Sequence, residues 1–420
     1  MFWDQSVQYA ALSDIGFRRR MNQDAYVVQL CADRALWRTH GHMFMVADGM
    51  GGHAVGELAS KIAVDTVPHT FFKSRGVGVR AAVKSAVEAA NAAIHRRGSS
   101  EQDFQRMGTT GSVLVLSSEG AVIGHVGDSR IYRVRGETIS QLTFDHSLQW
   151  ELIRQGRMKP EEVYLNQPRH VITRSLGPET RVEVDVEGPY PVLPGDTFVL
   201  CSDGLTGHLA DSEIGMAACE LPPAEACRFM VNLANLRGGS DNITVIVARV
   251  GELPPRAARG DDEPHREGRS GWSWAGLAAF WTMGLAIALG ISMMLFGRLV
   301  EGLLIAAGGL VGTIGLLLWG WKRWRHAPPQ VEEGDVTRLW RPYRTASARL
   351  TRKFLNHIAS LESELQRSAS DEKWPIDWSR HEASYGRAQH AIAEKRYGEA
   401  LAEYGHAIDA LMAGVSESRR

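Results

Sequence analysis

With 420 residues, the chain is long enough for two domains and at least one core of ordinary size. Its 47 Lys and Arg nearly balance 48 Asp and Glu, which excludes a global field that would draw in nucleic acid, so no nucleic-acid partner is expected. Four cysteines without a C-x-x-C pair exclude a disulfide framework or a zinc site, and Cys201 and Cys227, in apolar segments, read as small buried hydrophobes.

The start, MFWDQSVQYAALSD, has no basic stretch leading into an apolar run, so a cytosolic start without a cleavable signal is expected. From about Tyr9 to Val250, short apolar strands alternate with Gly-containing turns and amphipathic helices, including helices around Glu57–Phe72 and Val79–Arg97. Residues 251–271, GELPPRAARGDDEPHREGRSG, cannot bury a core and read as a flexible linker.

A long apolar stretch follows, from Trp272 to Trp321. A membrane-spanning helix needs about 20 apolar residues. The stretch fits two, Trp272–Phe296 and Gly302–Trp321, separated by GRLVEG. Tryptophans 272, 274, 319, 321 and 324 stand near its ends. Arg266 and Arg269 precede it and Lys322, Arg323 and Arg325 follow, whereas the tip carries only Arg298 and Glu301. The pattern predicts a transmembrane helical hairpin over residues 272–321 with both flanks cytoplasmic, hence a two-span, membrane-anchored protein of the inner (cytoplasmic) membrane. Gly308, Gly309, Gly312 and Gly315 would let its helices approach closely.

Residues 322–344 read as a second linker and 345–415 as a small helical tail, with one helix over Ala346–Gln366. In its last part Ala388, Ala391, Ile392, Tyr397, Ala400, Leu401, Tyr404, Ala407 and Ile408 recur at three- and four-residue spacing. This resembles a tetratricopeptide-like helical hairpin. A single such unit cannot bury its own face, so it should pack on the preceding helix or bind another protein. A three-helix bundle without a binding role is the equal alternative.

Four aspartates share one kind of place. Asp48 ends the strand MFMVA before GMGGH, Asp128 sits in the turn of AVIGHVGDSRIYRV, Asp203 ends TFVLCS before Gly204, and Asp241 opens NITVIVARV after GGS. Any one Asp-Gly pair is ordinary turn chemistry. Gathered at the end of a sheet, however, such carboxylates repel unless a cation holds them, and oxygen-only ligation suits Mg²⁺ or Mn²⁺ rather than zinc.

GFRRRMNQD, VADGMGGHAVGELAS, MGTTGS, GHVGDSRIYRV, QLTFDHS, VITRSLG, LCSDGLTGHL and GSDNITVIV stand in the order seen in the metal-dependent (type 2C) serine/threonine protein phosphatases. From Ser13 to Val250 the chain resembles the bacterial branch of that family. The resemblance implies an α+β fold, a four-layer αββα sandwich of two packed antiparallel sheets flanked by helices. It implies that Asp48 bridges two metal ions, that Gly49 lends its carbonyl, and that Asp203 and Asp241 complete the first site. Asp128, with Asp203, would hold a weaker third ion, and Asp24 would orient metal-bound waters from outside the coordination shell. Arg19 matches the phosphate-gripping arginine, picked from Arg18 and Arg20 by its spacing from Gly16 and Asp24.

The expected chemistry is attack of a metal-activated water on the phosphorus of phosphoserine or phosphothreonine, assisted by Mn²⁺ or Mg²⁺, with phosphoprotein substrates and an opposing serine/threonine kinase as partners. Where eukaryotic relatives carry a histidine after the metal-site Asp-Gly, this chain has Met50. His53 is the nearby substitute, weighed against a structural role. Gln23 replaces a frequent glutamate. Residues 147–170 resemble the family's substrate-flanking flap, while His125, His146, Thr109 and Thr110 read as turn-fixing and packing residues. The alternatives are a silent membrane scaffold that only holds phosphoproteins, disfavoured because the metal aspartates are all present, and a switch phosphatase acting on a sigma-factor antagonist.

Overall fold

In the computed structural model, the described residues are 7–31, 34–51, 55–100, 104, 107–155, 171–251, 274–325 and 343–418, with side chains inside 274–325 described only at 281–310, 312 and 313. Two compact units result, one comprising Met1–Pro254 with Leu339–Arg420 and the other Pro255–Arg338.

The first unit is built on two six-stranded antiparallel sheets. One sheet runs β1 (Val7–Asp14), β11 (Ile243–Val250), β10 (Thr197–Cys201), β7 (Arg130–Arg135), β8 (Thr138–Gln141) and β12 (Arg344–Ser347). The other runs β2 (Asp24–Gln29), β3 (His42–Met50), β5 (Gly111–Ser117), β6 (Gly120–Val126) and β9 (Asp185–Tyr190), with the short β4 (Gly108–Thr109) paired to the end of β3. Period-two alternation explains why both faces of β3 are apolar. Phe44 and Val46 join Leu114, Ile123, Phe198, Leu200 and Ile246 between the sheets. Met43, Met45 and Ala47 instead pack outward against α2 (Val55–Lys73) and α3 (Val79–Ser100), through Ala59, Ala63, Val67, Val83, Val87 and Ile94. The two helices cover the ranges that their apolar spacing predicts.

The other outer face is covered by α6 (Asp211–Glu220) and α7 (Pro223–Leu236). The tail belongs to this same layer. Its helices α10 (Arg352–Asp371), α11 (Trp378–Ala393) and α12 (Tyr397–Ser418) place Phe354, Leu355, Ile358, Leu401, Tyr404 and Ile408 in one core with Phe229, Met230 and Leu233 of α7. The apolar face of the tail is thus buried among its own helices and on α7. The helix expected from Ala346 begins instead at Arg352, where the Thr351 hydroxyl accepts the Phe354 N–H (3.2 Å), and Arg344–Ser347 pairs with β8 as a strand. All four cysteines are buried and unbridged.

In the second unit, α8 (Trp274–Leu295) and α9 (Leu299–Arg325) turn back on each other at Gly297, whose φ of +85° few other residues tolerate. A Cβ on Gly290 would lie 2.6 Å from the Gly302 carbonyl oxygen, so these two glycines permit the contact. Outward-facing Trp281, Leu285, Leu295 and Phe296 are largely exposed. The transmembrane hairpin, and with it the inner-membrane, two-span placement of catalytic domain and tail, is corrected here. Among the described residues no helix is long and apolar enough to cross a membrane. The apolar run divides at Gly297 into two separate helices.

Candidate active site

The register of β2 on β3 sets Asp24 directly opposite Asp48. Asp203 opens α5 (Asp203–Thr206) immediately after β10, Asp241 precedes β11, and Asp128 lies in the turn between β6 and β7. Ser202 links the sheets at this point: its hydroxyl donates to Asp24 Oδ2 (2.7 Å) and its Oγ accepts the Thr244 N–H (3.0 Å). Gly49 is fixed by crowding, since a Cβ there would sit 2.2 Å from the Gly56 carbonyl oxygen and 2.5 Å from that of Gln23. Thr110 steadies Asp48 twice. Its hydroxyl accepts the Asp48 N–H (2.9 Å), and its own N–H donates to the Asp48 carbonyl (2.9 Å). The Thr109 hydroxyl donates to the same carbonyl (2.9 Å).

Arg19 rides on a loop that Asn242 clamps. The Asn242 amide donates to the carbonyls of Ile15 (2.9 Å) and Met21 (3.0 Å), and its Oδ1 accepts the Gln23 N–H (2.9 Å). From that loop Arg19 Nη2 donates to Asp241 Oδ2 at 2.7 Å, with 46% of the Arg19 side chain exposed. The guanidinium is therefore held at the rim of the acidic cluster and open to solvent.

Burial and mutual repulsion dominate the electrostatics. Burial pushes Asp24 up to about 7; Asp203 and Asp241 add to the effect, and hydrogen bonds from Thr244 and Ser202 oppose it. Asp48 is raised well above the carboxylate range, first by burial and then by Asp24, Asp203, Asp128 and Asp241. Asp128 is raised by burial, then by Asp203 and Asp145, against the pull of Arg130. Asp24 Oδ1 and Asp128 Oδ1 are buried without a hydrogen-bond partner. Buried carboxylate oxygens left unpaired among like charges are costly, and a hard divalent cation is the partner that their chemistry fits. The fit lies in the donor set. Among the described residues no group of three His, Cys, Asp or Glu is already closed around one point.

The structure thus brings Asp24, Asp48, Gly49, Asp128, Asp203, Asp241 and Arg19 into one neighbourhood. His53 and residues 156–170 of the expected flap lie outside the described residues. His146 fixes a turn, its Nδ1 accepting the Gly127 N–H (3.0 Å) and its own N–H donating to the Gly127 carbonyl (2.7 Å). Sequence reading missed Ser202 and Asn242. Both follow or precede a flagged aspartate by one residue, and that adjacency was the available signal.

The sequence profile of the protein phosphatase 2C family matches residues 20–233. Over 250 residues the chain is 36% identical to protein phosphatase PhpP of Streptococcus pneumoniae, covering 59% of this chain and 98% of that protein. The crystal structure of the Mycobacterium tuberculosis serine/threonine phosphatase PstP/Ppp matches with a TM-score of 0.53 at 33% identity, over 59% of this chain and 100% of that one. The catalytic domain of PstP solved with two manganese ions matches with a TM-score of 0.50 at 32% identity, over 59% and 99%.

Proposed function

Since this chain belongs to the protein phosphatase 2C family and is a serine/threonine protein phosphatase dependent on divalent metal, we propose that the Asp24–Asp48–Asp128–Asp203–Asp241 cluster is its hydrolytic centre. Asp48, the Gly49 carbonyl, Asp203 and Asp241 would hold two Mn²⁺ or Mg²⁺ ions, and Asp128 with Asp203 a third. When bound, such ions lower the pKa of water and neutralise charge on the phosphoryl group. Phosphoserine and phosphothreonine in proteins are the proposed substrates, and a serine/threonine kinase is the functional counterpart whose product this reaction removes.

The chain's own residues do the positioning. Arg19 presents a planar fork suited to two phosphate oxygens, and its half-exposed position lets a phosphate reach it. Asn242 keeps the Arg19 loop at a fixed distance from Asp241. Ser202 occupies Asp24 Oδ2 and so leaves Oδ1 as the oxygen that orients water.

The observation that carries this reading is the gathering of mutually repelling, buried carboxylates with two unpaired oxygens. The test is phosphate release from a phosphothreonine peptide by the full chain with Mn²⁺, with Mg²⁺ and with EDTA, beside Asp203→Asn. Release should vanish in EDTA and fall at least about a hundredfold in the variant. A folded chain that binds Mn²⁺ yet releases nothing would instead be a scaffold that holds phosphoproteins.

A further inference from the structure

We infer that Tyr343 and Arg344, at the point where the chain re-enters the first unit, are positioning residues for the phosphatase site, and this rests on the function proposed above. The strand they open lies at the far edge of its sheet: β12 pairs with β8 from Arg344 opposite Gln141 to Ser347 opposite Thr138. Tyr343 extends the pairing, its N–H donating to the Gln141 carbonyl (3.2 Å). Nothing about this edge belongs to the metal cluster itself. Its side chains, however, reach inward.

The Tyr343 ring stacks at a tilt against Phe144, 5.4 Å between centroids, and joins a small apolar cluster of Phe144, Trp150 and Ile153. Trp150 and Ile153 belong to α4 (Leu148–Arg154), and the Tyr343 hydroxyl donates to Glu187 Oε1 of β9 in the opposite sheet (2.7 Å). Arg344 lies with its guanidinium carbon 5.9 Å from the centre of the Trp150 ring and its Nε 3.5 Å from Asp211 Oδ2. Arg130 stands at the same 5.9 Å from Trp150, forks onto both oxygens of Asp145, and lies 3.6 Å from Asp211 Oδ1.

Two arginines and two aspartates are thus paired around one tryptophan. The chain continues from Asp145 to His146, whose backbone and ring both bond to Gly127, the residue before Asp128. Every link from Arg344 to the Asp128 turn is a direct contact or a chain neighbour. If Arg344 is removed, Arg130 is the cation left to Asp145 and Asp211, which keep only neutral donors besides it, the Gln141 amide (2.8 Å) and the Tyr132 hydroxyl (2.9 Å). Arg130 must then divide between them, and Trp150 loses one of its two cations. The consequence expected is a looser α4 and Asp128 turn, felt in how a phosphoprotein is seated.

The experiment uses the full chain with Mn²⁺ and the variants Arg344→Gln, Arg344→Lys, Tyr343→Ala and Tyr343→Phe. It reads kcat and KM for a phosphothreonine peptide, and amide hydrogen exchange over residues 127–153. Arg344→Gln and Tyr343→Ala should raise KM roughly five- to tenfold with kcat within about twofold, and should speed exchange in α4 and the Asp128 turn. Arg344→Lys, which keeps the charge, should stay near the wild-type values, and Tyr343→Phe, which keeps the ring but loses the bond to Glu187, should fall between wild type and Tyr343→Ala. Unchanged KM and exchange in folded Arg344→Gln and Tyr343→Ala chains would overturn the inference. Should the wild-type chain itself release no phosphate, the proposed function fails, while the exchange measurement still decides whether these two residues hold α4 and the turn.

Discussion

His125 is 1% exposed, and its ring is bonded on both sides. Its Nε2–H donates to the Phe144 carbonyl (3.0 Å), and its Nδ1 lies 2.9 Å from the Ser112 hydroxyl, which also donates to the Ser129 carbonyl (3.1 Å). Burial first, and then the neighbouring His146, push its pKa from 6.5 down to about 3. The unfolded chain therefore takes up this proton before the folded one does. Stability from His125 is fully present above pH 6.5 and is lost as pH falls from there toward 3, at about 1.4 kcal/mol per pH unit. Between pH 6.5 and pH 5 this amounts to about 2 kcal/mol. Urea unfolding of His125→Gln should show a lower stability at pH 7 but a decline toward pH 5 shallower by about that amount; parallel declines would contradict the assignment. At the level of single residues, the gathering of the aspartates was legible because a carboxylate at a strand end within two residues of glycine is an uncommon place to repeat four times. Ser202 and Asn242 were not, because their effect lies in contacts across 178 and 219 residues of chain, with Asp24 and Gln23. Sequence spacing carries no trace of such contacts.

Between elements, the tail holds a histidine–carboxyl hydrogen bond with almost no access to water. His381 of α11 meets Glu362 Oε1 of α10 at 2.6 Å, with the two side chains 1% and 0% exposed. Glu362 Oε2 and His381 Nδ1 have no hydrogen-bond partner. Half of the polar capacity of the pair is thus desolvated without return, so the pair aligns the two helices at a cost in stability. Glu362→Ala alone leaves a buried imidazole without its carboxylate and should destabilise the chain by about 3–5 kcal/mol. Glu362→Leu with His381→Leu should recover most of that loss, because two apolar side chains leave nothing unsatisfied. Urea denaturation of the single and double variants reads the difference, and a double variant as unstable as the single one would show that the pair contributes more than alignment. Elements of this kind were partly legible. The 3.6-residue period gave α2, α3 and the tail helices, since each has an apolar stripe to bury. The period could not give β12, because Arg-Thr-Ala-Ser has neither an apolar alternation nor a run of strand formers. It is a strand because β8 offers an open edge.

For the whole molecule, the consequential fact is that the first unit is assembled from two separated stretches of chain. Residues up to Pro254 supply both sheets except β12, and the stretch from Leu339 supplies the outer helices over α7. Sequence reading set the tail apart because a linker and an apolar hairpin intervene, and chain order is a poor guide when an insertion separates the halves of one core. A fragment ending at Pro254 would uncover Phe229, Met230 and Leu233, which pack against Leu355, Leu401, Tyr404 and Ile408. Each fully buried side chain of this size contributes about 1.5–3 kcal/mol. Losing several approaches the 5–15 kcal/mol that holds a typical domain together, and the bared patch invites association. The informative comparison is a chain in which residues 251–342 are replaced by a flexible Gly/Ser linker. The strands β11 and β12 are four places apart in their sheet, about 19 Å at the usual strand spacing. A linker of about 20 residues has a mean reach slightly above that. The linked chain should unfold in one thermal transition by circular dichroism and run as a monomer on size exclusion. The 1–254 fragment should melt well below it or aggregate. If the fragment were monomeric and melted with the linked chain, the tail would be an appendage rather than part of the core, and the contacts of Tyr343 and Arg344 would lose their structural footing along with it.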